Sequence, residues 1–174
     1  MGTELTPRIR LAHAGDAIDI AQLSRHSIEH GLSWSWTPRR VVHCLEDVAT
    51  NVIVARDRGT MSGFGIMRYA EDDAHLLLLA VAPALRRHGL GTQLLQWLEL
   101  TARVAGLRAI RLELRSGNGP ARAFYRRHGF SETGQLNGYY QGIEDATRMM
   151  KPLRTVPETP SSRARRPQLG PTSG

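Results

Sequence analysis

A basic, glycine-rich turn between two apolar segments carries the strongest chemical signal in the sequence. Leu76–Val81 is an unbroken apolar run, of a length typical of a strand buried on both faces. Arg86–Gly91 follows as a basic turn with two glycines, and a helix with an apolar stripe is expected from Thr92. Free backbone N–H groups at a helix N-terminus attract anions, and glycines let a phosphate approach the backbone closely. The pattern therefore predicts a site for a phosphorylated ligand.

Residues able to move protons are concentrated further along the chain. Glu113 lies in a predicted strand, where side-chain alternation places it on one face with Arg111 and Arg115, which would hold it ionised. Tyr125 lies near the basic end of a predicted helix. From the residues alone, an ion pair is the favoured explanation of Glu113 and packing is the favoured explanation of Tyr125, with acid–base catalysis as the alternative for both. No serine or cysteine is arranged as a nucleophile, since Cys44 lies in an apolar helical pattern that indicates a core position.

Hydrophobic periodicity and turn residues predict the elements that must position these groups. Strands are expected at Ile9–Ala12, Val52–Ala55, Met61–Tyr69, His75–Val81, Ala109–Leu114, Phe130–Leu136 and Ala146–Met150. Helices are expected at Asp16–His30, from Pro38 to Asp47, at Thr92–Ala105 and at Pro120–Arg127, with Thr37 as an N-cap before Pro38. This order predicts one mixed α/β (α+β) domain, with helices on both faces of a single sheet.

Composition limits the class of protein. The 174 residues are enough for one domain, predicted at 1–154, and residues 155–174 are predicted to be a disordered basic tail rich in Pro, Ser and Arg. No apolar run approaches the roughly 20 residues of a membrane span, and no signal peptide is recognisable. A single cysteine favours the cytoplasm and gives no cysteine-based metal site, and no metal is expected. The net charge of +7 is mostly dispersed arginine without a basic aromatic stripe, so nucleic acid is not the favoured partner.

The turn and the second half of the chain resemble a known enzyme family. Arg86-x-x-Gly89-x-Gly91 resembles the acyl-CoA pyrophosphate loop of the GNAT N-acetyltransferase superfamily. The motifs that follow resemble the RimI-type branch, the N-terminal acetyltransferases of ribosomal proteins. They are Leu112-Glu113-Leu114-Arg115, Asn118, Phe124-Tyr125, Gly129-Phe130, Gly138-Tyr139-Tyr140 and Glu144-Asp145-Ala146. The resemblance covers Leu76 to Leu153, whereas the first seventy residues match only as a generic GNAT N-terminal half.

The resemblance implies acetyl-CoA as the co-substrate, in a single GNAT domain with a mostly antiparallel sheet of about seven strands and about four helices. It implies Glu113 as the base and Tyr125 as the acid facing the CoA sulfur, with Phe124 a departure from the family's Leu-Tyr pair. His75 is an alternative base, and Asn118 either holds the pantetheine arm or caps a helix. The central strand would separate from its neighbour and pair with pantetheine, and the N–H near Val81 would stabilise the oxyanion. The cofactor-binding residues implied are Leu79, Ala80, Val81, Arg86, Arg87, His88, Gly89, Leu90, Gly91, Thr92, Asn118 and Tyr125.

The acceptor side is less well determined by the sequence. By the resemblance, two helices joined by an aromatic loop line the acceptor, so the expected acceptor contacts are Trp34, Trp36, Tyr139 and Tyr140. The favoured acceptor is a protein α-amino group, and the enzyme is expected to be a monomer or a homodimer. The alternatives are a small-molecule amine (a polyamine, amino acid or antibiotic), a non-catalytic acyl-CoA-binding domain in which Glu113 and Tyr125 are dispensable, and a basic RNA-associated protein.

Overall fold

The computed structural model describes residues 7–153, and the tail predicted at 155–174 lies outside this part of the chain. The strands are β1 Arg8–Leu11, β2 Thr50–Asp57, β3 Thr60–Tyr69, β4 Asp73–Val81, β5 Ala109–Arg115, β6 Ser131–Tyr140 and β7 Glu144–Pro152. The α-helices are α1 Ala17–Ser27, α2 Pro38–Glu46, α3 Leu90–Val104 and α4 Gly119–Arg127, with short 3₁₀ turns at Ala14–Asp16 and Pro83–Leu85. No helix within residues 7–153 is long and apolar enough to cross a membrane.

The strands form one sheet in the order β1-β2-β3-β4-β5-β7-β6. Every neighbouring pair is antiparallel except β4 and β5, which are parallel. The predicted fold class, a mixed and mostly antiparallel sheet with helices on both faces, is therefore confirmed.

The parallel pair β4 and β5 separates soon after it begins. The two strands are paired only from Asp73–Ala109 to His75–Arg111. Beyond this point β5 continues to pair with β7, while β4 continues to pair with β3 as far as Val81. The two strands therefore diverge, and a V-shaped gap opens between them toward the C-terminal end of β4.

Helices cover the two faces of the sheet unequally. Helix α3 lies on one face and buries Leu94, Leu95 and Leu98, and a Cβ on Gly65 of β3 would lie only 2.8 Å from the Leu98 side chain. The glycine therefore allows close packing. On the other face, α1 and α2 cover β2, β3 and β4 through residues such as Ile20 and Val41. Side chains of β5 and β7 on this second face remain partly exposed, and we call this region the open face.

The helix boundaries depart from prediction at two glycine-containing turns. Helix α1 ends at Ser27 rather than at His30, and Gly31 follows with φ +78°. Helix α3 begins at Leu90, two residues before the predicted Thr92, because Gly89 is its N-cap with φ +83°. Only glycine adopts this left-handed conformation without strain. The turn therefore ends at Gly89, and the helix begins at the next residue, Leu90.

Candidate active site

The predicted anion-binding turn forms the exposed N-terminus of α3. Gln93 is the first residue of the helix whose N–H donates within it, to Gly89 O at 3.1 Å. The N–H groups of Leu90, Gly91 and Thr92 therefore have no partner inside the helix. A Cβ built on Gly89 would meet nothing within 4 Å, so the approach to these donors is open. The arrangement suits a phosphate group.

The basic side chains of the turn are all exposed, and one of them also contacts the end of β4. Arg86 Nε donates to Val81 O at 3.1 Å, which folds this arginine back onto the end of β4. Arg87 has φ +67°, an uncommon conformation for a residue with a side chain. Arg86, Arg87 and His88 are all exposed, so the turn is a positively charged surface next to the free N–H groups.

Backbone groups of β4 face the gap between β4 and β5. Ala82 N–H donates to Ser62 O at 2.9 Å, and hydrogen bonds alternate in direction along an antiparallel ladder. The backbone of Ala80 is therefore directed toward β3, where Phe64 lies opposite. The backbone groups of Leu79 and Val81 are directed into the gap. Of the three residues predicted to contact pantetheine by the backbone, Leu79 and Val81 direct backbone groups into the gap, and Ala80 directs its backbone groups toward β3.

Glu113 lies at the base of the gap on the open face, with only 7% of its side chain exposed. His75 Nε2 lies 2.5 Å from Glu113 Oε2, and Arg148 Nε donates to Oε1 at 3.0 Å. The partners expected from the sequence are wrong: Arg111 pairs with Asp73, and Arg115 pairs with Glu144. The structure thus brings the two alternative bases, Glu113 and His75, into one hydrogen-bonded pair.

The environment of Glu113 makes it a weak base by itself. The hydrogen bond from His75 lowers the pKa of Glu113, burial opposes this, and the Arg148 hydrogen bond lowers the pKa further, so the net pKa is below its usual value. Because the ionised carboxylate only accepts hydrogen bonds, His75 Nε2 carries the proton in this pair. The Nδ1 atom of His75 has no hydrogen-bond partner within residues 7–153 and is thereby available to accept a proton.

Tyr125 lies in the core beneath the gap and is 8% exposed. Its ring makes edge contacts with Phe124 and Phe130, at centroid distances of 5.2 and 5.3 Å. Burial raises the pKa of Tyr125 well above its usual value, with a smaller contribution from nearby Tyr140. The hydroxyl has no hydrogen-bond partner among the described residues. It is therefore protonated at neutral pH and free to donate.

Asn118 and Trp36 have structural roles that the sequence left open. Asn118 is the N-cap of α4, and its Oδ1 accepts from Ala121 N at 3.1 Å. This is the capping alternative. Trp36 is 8% exposed in the core between α1, α2 and the sheet, and Arg40 stacks on its ring at 4.0 Å. Trp36 is therefore a packing residue, whereas Trp34 is 43% exposed.

Two loops meet beside the open face. Gln141 makes two hydrogen bonds to the backbone of Ser33, accepting from its N–H and donating to its carbonyl, both at 3.0 Å. This joins the β6–β7 turn to the α1–α2 loop. Tyr140 lies next to the junction and donates to Glu113 O at 3.3 Å, and Tyr139 packs edge-on against it at 5.1 Å. Tyr139, Tyr140 and Trp34 therefore remain candidates for acceptor contacts.

Sequence reasoning missed the residues that organise these loops. Glu29 is 4% exposed and accepts hydrogen bonds from the Ser35 hydroxyl at 2.6 Å, from Ser35 N at 2.7 Å and from Trp36 N. The only signal for Glu29 in the sequence was an isolated acidic residue just before an aromatic loop. Arg148, which contacts Glu113 from β7, was also missed, because which residue lies opposite Glu113 depends on how the strands pair.

The donor set is suited to an acyl-CoA. A helix N-terminus with open access, basic side chains beside it and a backbone edge in a V-shaped gap match a pyrophosphate followed by an amide-containing arm. Within residues 7–153 no group of three or more His, Cys, Asp or Glu residues could hold a metal ion. Burial raises the pKa of the Cys44 thiol, which makes that cysteine a poor nucleophile.

Comparisons with known proteins also indicate an acetyltransferase. The model of the acetyltransferase (GNAT) family matches residues 19–130. The [ribosomal protein bS18]-alanine N-acetyltransferase of Salmonella typhimurium is 38% identical over 104 residues, which are 58% of this chain and 69% of the relative. The crystal structure of the Escherichia coli ribosomal-protein-S18-alanine N-acetyltransferase superposes with a TM-score of 0.72 at 28% identity, covering 87% of this chain and 97% of that one. The PaiA N-acetyltransferase of Thermoplasma acidophilum, in complex with coenzyme A, has a TM-score of 0.71 at 20% identity, covering 86% and 100%, and shows the shared fold.

Proposed function

The chain belongs to the GNAT acetyltransferase family, and from that premise we propose that it transfers the acetyl group of acetyl-CoA to the N-terminal α-amino group of a protein. The Salmonella relative is named as acting on the alanine of ribosomal protein bS18, and the second half of this chain carries the motifs of that branch. The observation that carries the proposal is the Glu113–His75 pair, which lies on the open face where β4 and β5 separate.

Binding of acetyl-CoA is assigned to three features of the chain. The N–H groups of Leu90, Gly91 and Thr92 would hold the pyrophosphate, with Arg87 and His88 beside them. The backbone of Leu79 and Val81 would pair with the pantetheine amides in the gap. When bound, acetyl-CoA supplies a thioester, whose carbonyl can be attacked directly by an amine. Val81 N–H is the backbone donor nearest the open end of β4 and would stabilise negative charge on that carbonyl oxygen.

The proton of the acceptor ammonium is assigned to the Glu113–His75 pair. Both carboxylate oxygens of Glu113 already accept hydrogen bonds, and its pKa is lowered. We therefore assign the first proton acceptor to His75 Nδ1, directly or through a water molecule. Glu113 would fix the tautomer and orientation of the imidazole and stabilise its protonated form. The sequence predicted Glu113 as the base, with His75 as an alternative. In this proposal the two residues act together.

The proton needed by the departing thiolate is assigned to Tyr125. Its hydroxyl is protonated at neutral pH and free of other partners in the described chain. A donor already held in place near a developing negative charge stabilises that charge. Transfer would be direct, because no side chain is arranged to carry an acetyl intermediate.

The test is release of free thiol from acetyl-CoA against a panel of acceptors. The panel contains peptides with free Ala, Ser or Met N-termini, the same peptides with blocked N-termini and an internal lysine, and polyamines and other small amines. We expect turnover on free N-terminal peptides only, and loss of that turnover in Glu113→Gln. Turnover on small amines alone would retain the family and reject the protein acceptor. Acetyl-CoA binding without turnover on any acceptor would favour the non-catalytic alternative.

A further inference from the structure

A histidine at the end of α4 is hydrogen-bonded to the first turn of α3. His128 Nε2 lies 3.0 Å from Thr92 Oγ1, and His128 Nδ1 lies 2.8 Å from Phe124 O. The His128 ring is tilted against the Phe124 ring at 4.4 Å, and a Cβ on Gly91 would touch that same ring at 3.5 Å. His128 and Phe124 thus support the helix turn whose free N–H groups form the anion site.

The two contacts of His128 determine which way the hydrogen bonds run. A backbone carbonyl only accepts, so Nδ1 must carry a proton toward Phe124 O. In the neutral ring Nε2 is then an acceptor, and the Thr92 hydroxyl must donate to it. In the imidazolium Nε2 carries a proton as well and donates to Thr92 Oγ1. The Thr92 hydroxyl proton is then released and can point elsewhere.

This reversal changes what Thr92 offers to a phosphate. With His128 neutral, the hydroxyl proton is used and only oxygen lone pairs are presented. With His128 protonated, the hydroxyl can donate to a phosphate oxygen, and a positive charge lies one side chain away. We propose that His128 is a positioning residue that couples proton uptake to acetyl-CoA binding through the Thr92 hydroxyl. This inference rests on the proposed use of the α3 N-terminus for acetyl-CoA.

The charged groups around His128 leave it available for this role. On α4, Arg126 pairs with Glu132 of the following strand, and Arg127 is exposed. From β7, Lys151 pairs with Glu99 of α3 at 2.6 Å. Within residues 7–153 no carboxylate contacts His128. The loop before α3 contributes Arg86, Arg87 and His88, and because His88 is the one imidazole among them it is the competing source of a linked proton.

The test is calorimetric titration of acetyl-CoA into the full chain, in pairs of buffers with different ionisation enthalpies, between about pH 6 and 8. Because the ligand's own phosphate monoester titrates in this range, the informative quantity is the difference between the wild type and His128→Gln. We expect the wild type to take up more protons than this variant. We also expect the Kd of the wild type for acetyl-CoA to rise, from the low to the high end of this pH range, about three- to tenfold more than the Kd of His128→Gln. This is the size expected for one partly exposed charge-assisted hydrogen bond.

Control variants separate coupling from structural support. Thr92→Ser keeps the hydroxyl and should keep the proton uptake, whereas Thr92→Val should lower it to the level of His128→Gln. His26 makes the same type of contact, Nδ1 to the carbonyl of Gln22 four residues earlier at 2.7 Å, but has no contact with α3, so His26→Gln should match the wild type. Equal proton uptake by the wild type and His128→Gln, or its complete loss in His88→Gln, would overturn the proposal. Absence of acetyl-CoA binding by the wild type would instead reject the proposed function.

Discussion

Replacing Gly89 by glutamate should weaken acetyl-CoA binding strongly while leaving the fold intact. Gly89 has φ +83°, so any side chain there is strained, but a Cβ would meet no atom within 4 Å. Gly89→Ala therefore measures the strain alone, about 1 kcal/mol for a left-handed residue. Gly89→Glu adds a carboxylate beside the N-terminus of α3, where the helix dipole favours negative charge by about 0.3–1 kcal/mol. The two variants should thus have similar free energies of unfolding.

Their affinities for acetyl-CoA should differ strongly. At a separation of about 6 Å and an intermediate effective dielectric of about 40, one pair of like charges costs about 1.4 kcal/mol. Two negative charges of a pyrophosphate give about 3 kcal/mol, or roughly a 100-fold loss of affinity. Because the turn is exposed, added salt should reduce this difference.

The assay is calorimetric titration of acetyl-CoA into the wild type and both variants at low and high salt, with urea unfolding to check stability. Gly89→Ala should bind within a few fold of the wild type. Equal affinity of Gly89→Ala and Gly89→Glu at low salt would refute the assignment of the turn to the pyrophosphate. A difference that does not change with salt would show that the loss is steric rather than electrostatic.

Three further predictions concern the proton-transfer groups and a buried ion cluster. Tyr125→Phe should lower kcat about 100-fold and leave acetyl-CoA affinity within a few fold; full activity in steady-state kinetics would exclude the acid role. Glu113→Gln and His75→Gln should each lower kcat about 100-fold, and the double variant should be little worse because the pair acts as a unit; multiplicative losses would separate the two residues. Asp16 is 1% exposed; burial raises its pKa, but hydrogen bonds from Arg10, His13 N–H and Arg56 lower the pKa well below its usual value. This stabilisation is present above about pH 4 and lost as the pH falls toward the folded-state pKa. Asp16→Asn should therefore cost about 2–4 kcal/mol at pH 7, and in urea unfolding this cost should decrease steadily as the pH is lowered below about 4; a cost that does not decrease between about pH 4 and pH 2 would contradict the ionic origin.

Local signals in the sequence were sufficient for most of the elements. Thr37 and Pro38 start α2 as predicted, and Thr37 Oγ1 accepts from Arg40 N. The apolar run of β4 is buried on both faces as expected, because its side chains divide between the cluster under α3 and the cluster under α1 and α2. Caps, periodicity and strand length depend on neighbours within a few residues, and these features are visible in one sequence.

The partners of Glu113 could not be predicted from neighbours within a few residues, because they lie on other strands. Residues two positions apart on a strand share a face but lie about 7 Å apart along it, whereas a residue directly opposite on the next strand lies about 5 Å away. Arg148 is directly opposite Glu113 in β7, and His75 approaches from the other side on β4. Arg111 and Arg115 take acidic partners of their own, Asp73 and Glu144. Only the order and register of strands distinguish these possibilities, and neither follows from a single strand's sequence.

The same uniform run of leucines that made β4 recognisable concealed its functional geometry. Ile66 lies opposite Leu78 and Met67 lies opposite Leu76, so Leu77 is an extra residue that bulges from the ladder. Because four leucines in succession are interchangeable in apolar character, no pattern in the run marks this position. The bulge lies just above the last pairing of β4 with β5 at His75, and bulges generally increase the local twist of a strand. The backbone of Leu79 and Val81 lacks a strand partner on that side, where Val81 O accepts from the Arg86 side chain. Backbone groups without a strand partner are satisfied by water or by a ligand, and the proposed pairing of this edge with the pantetheine amides of acetyl-CoA rests on this.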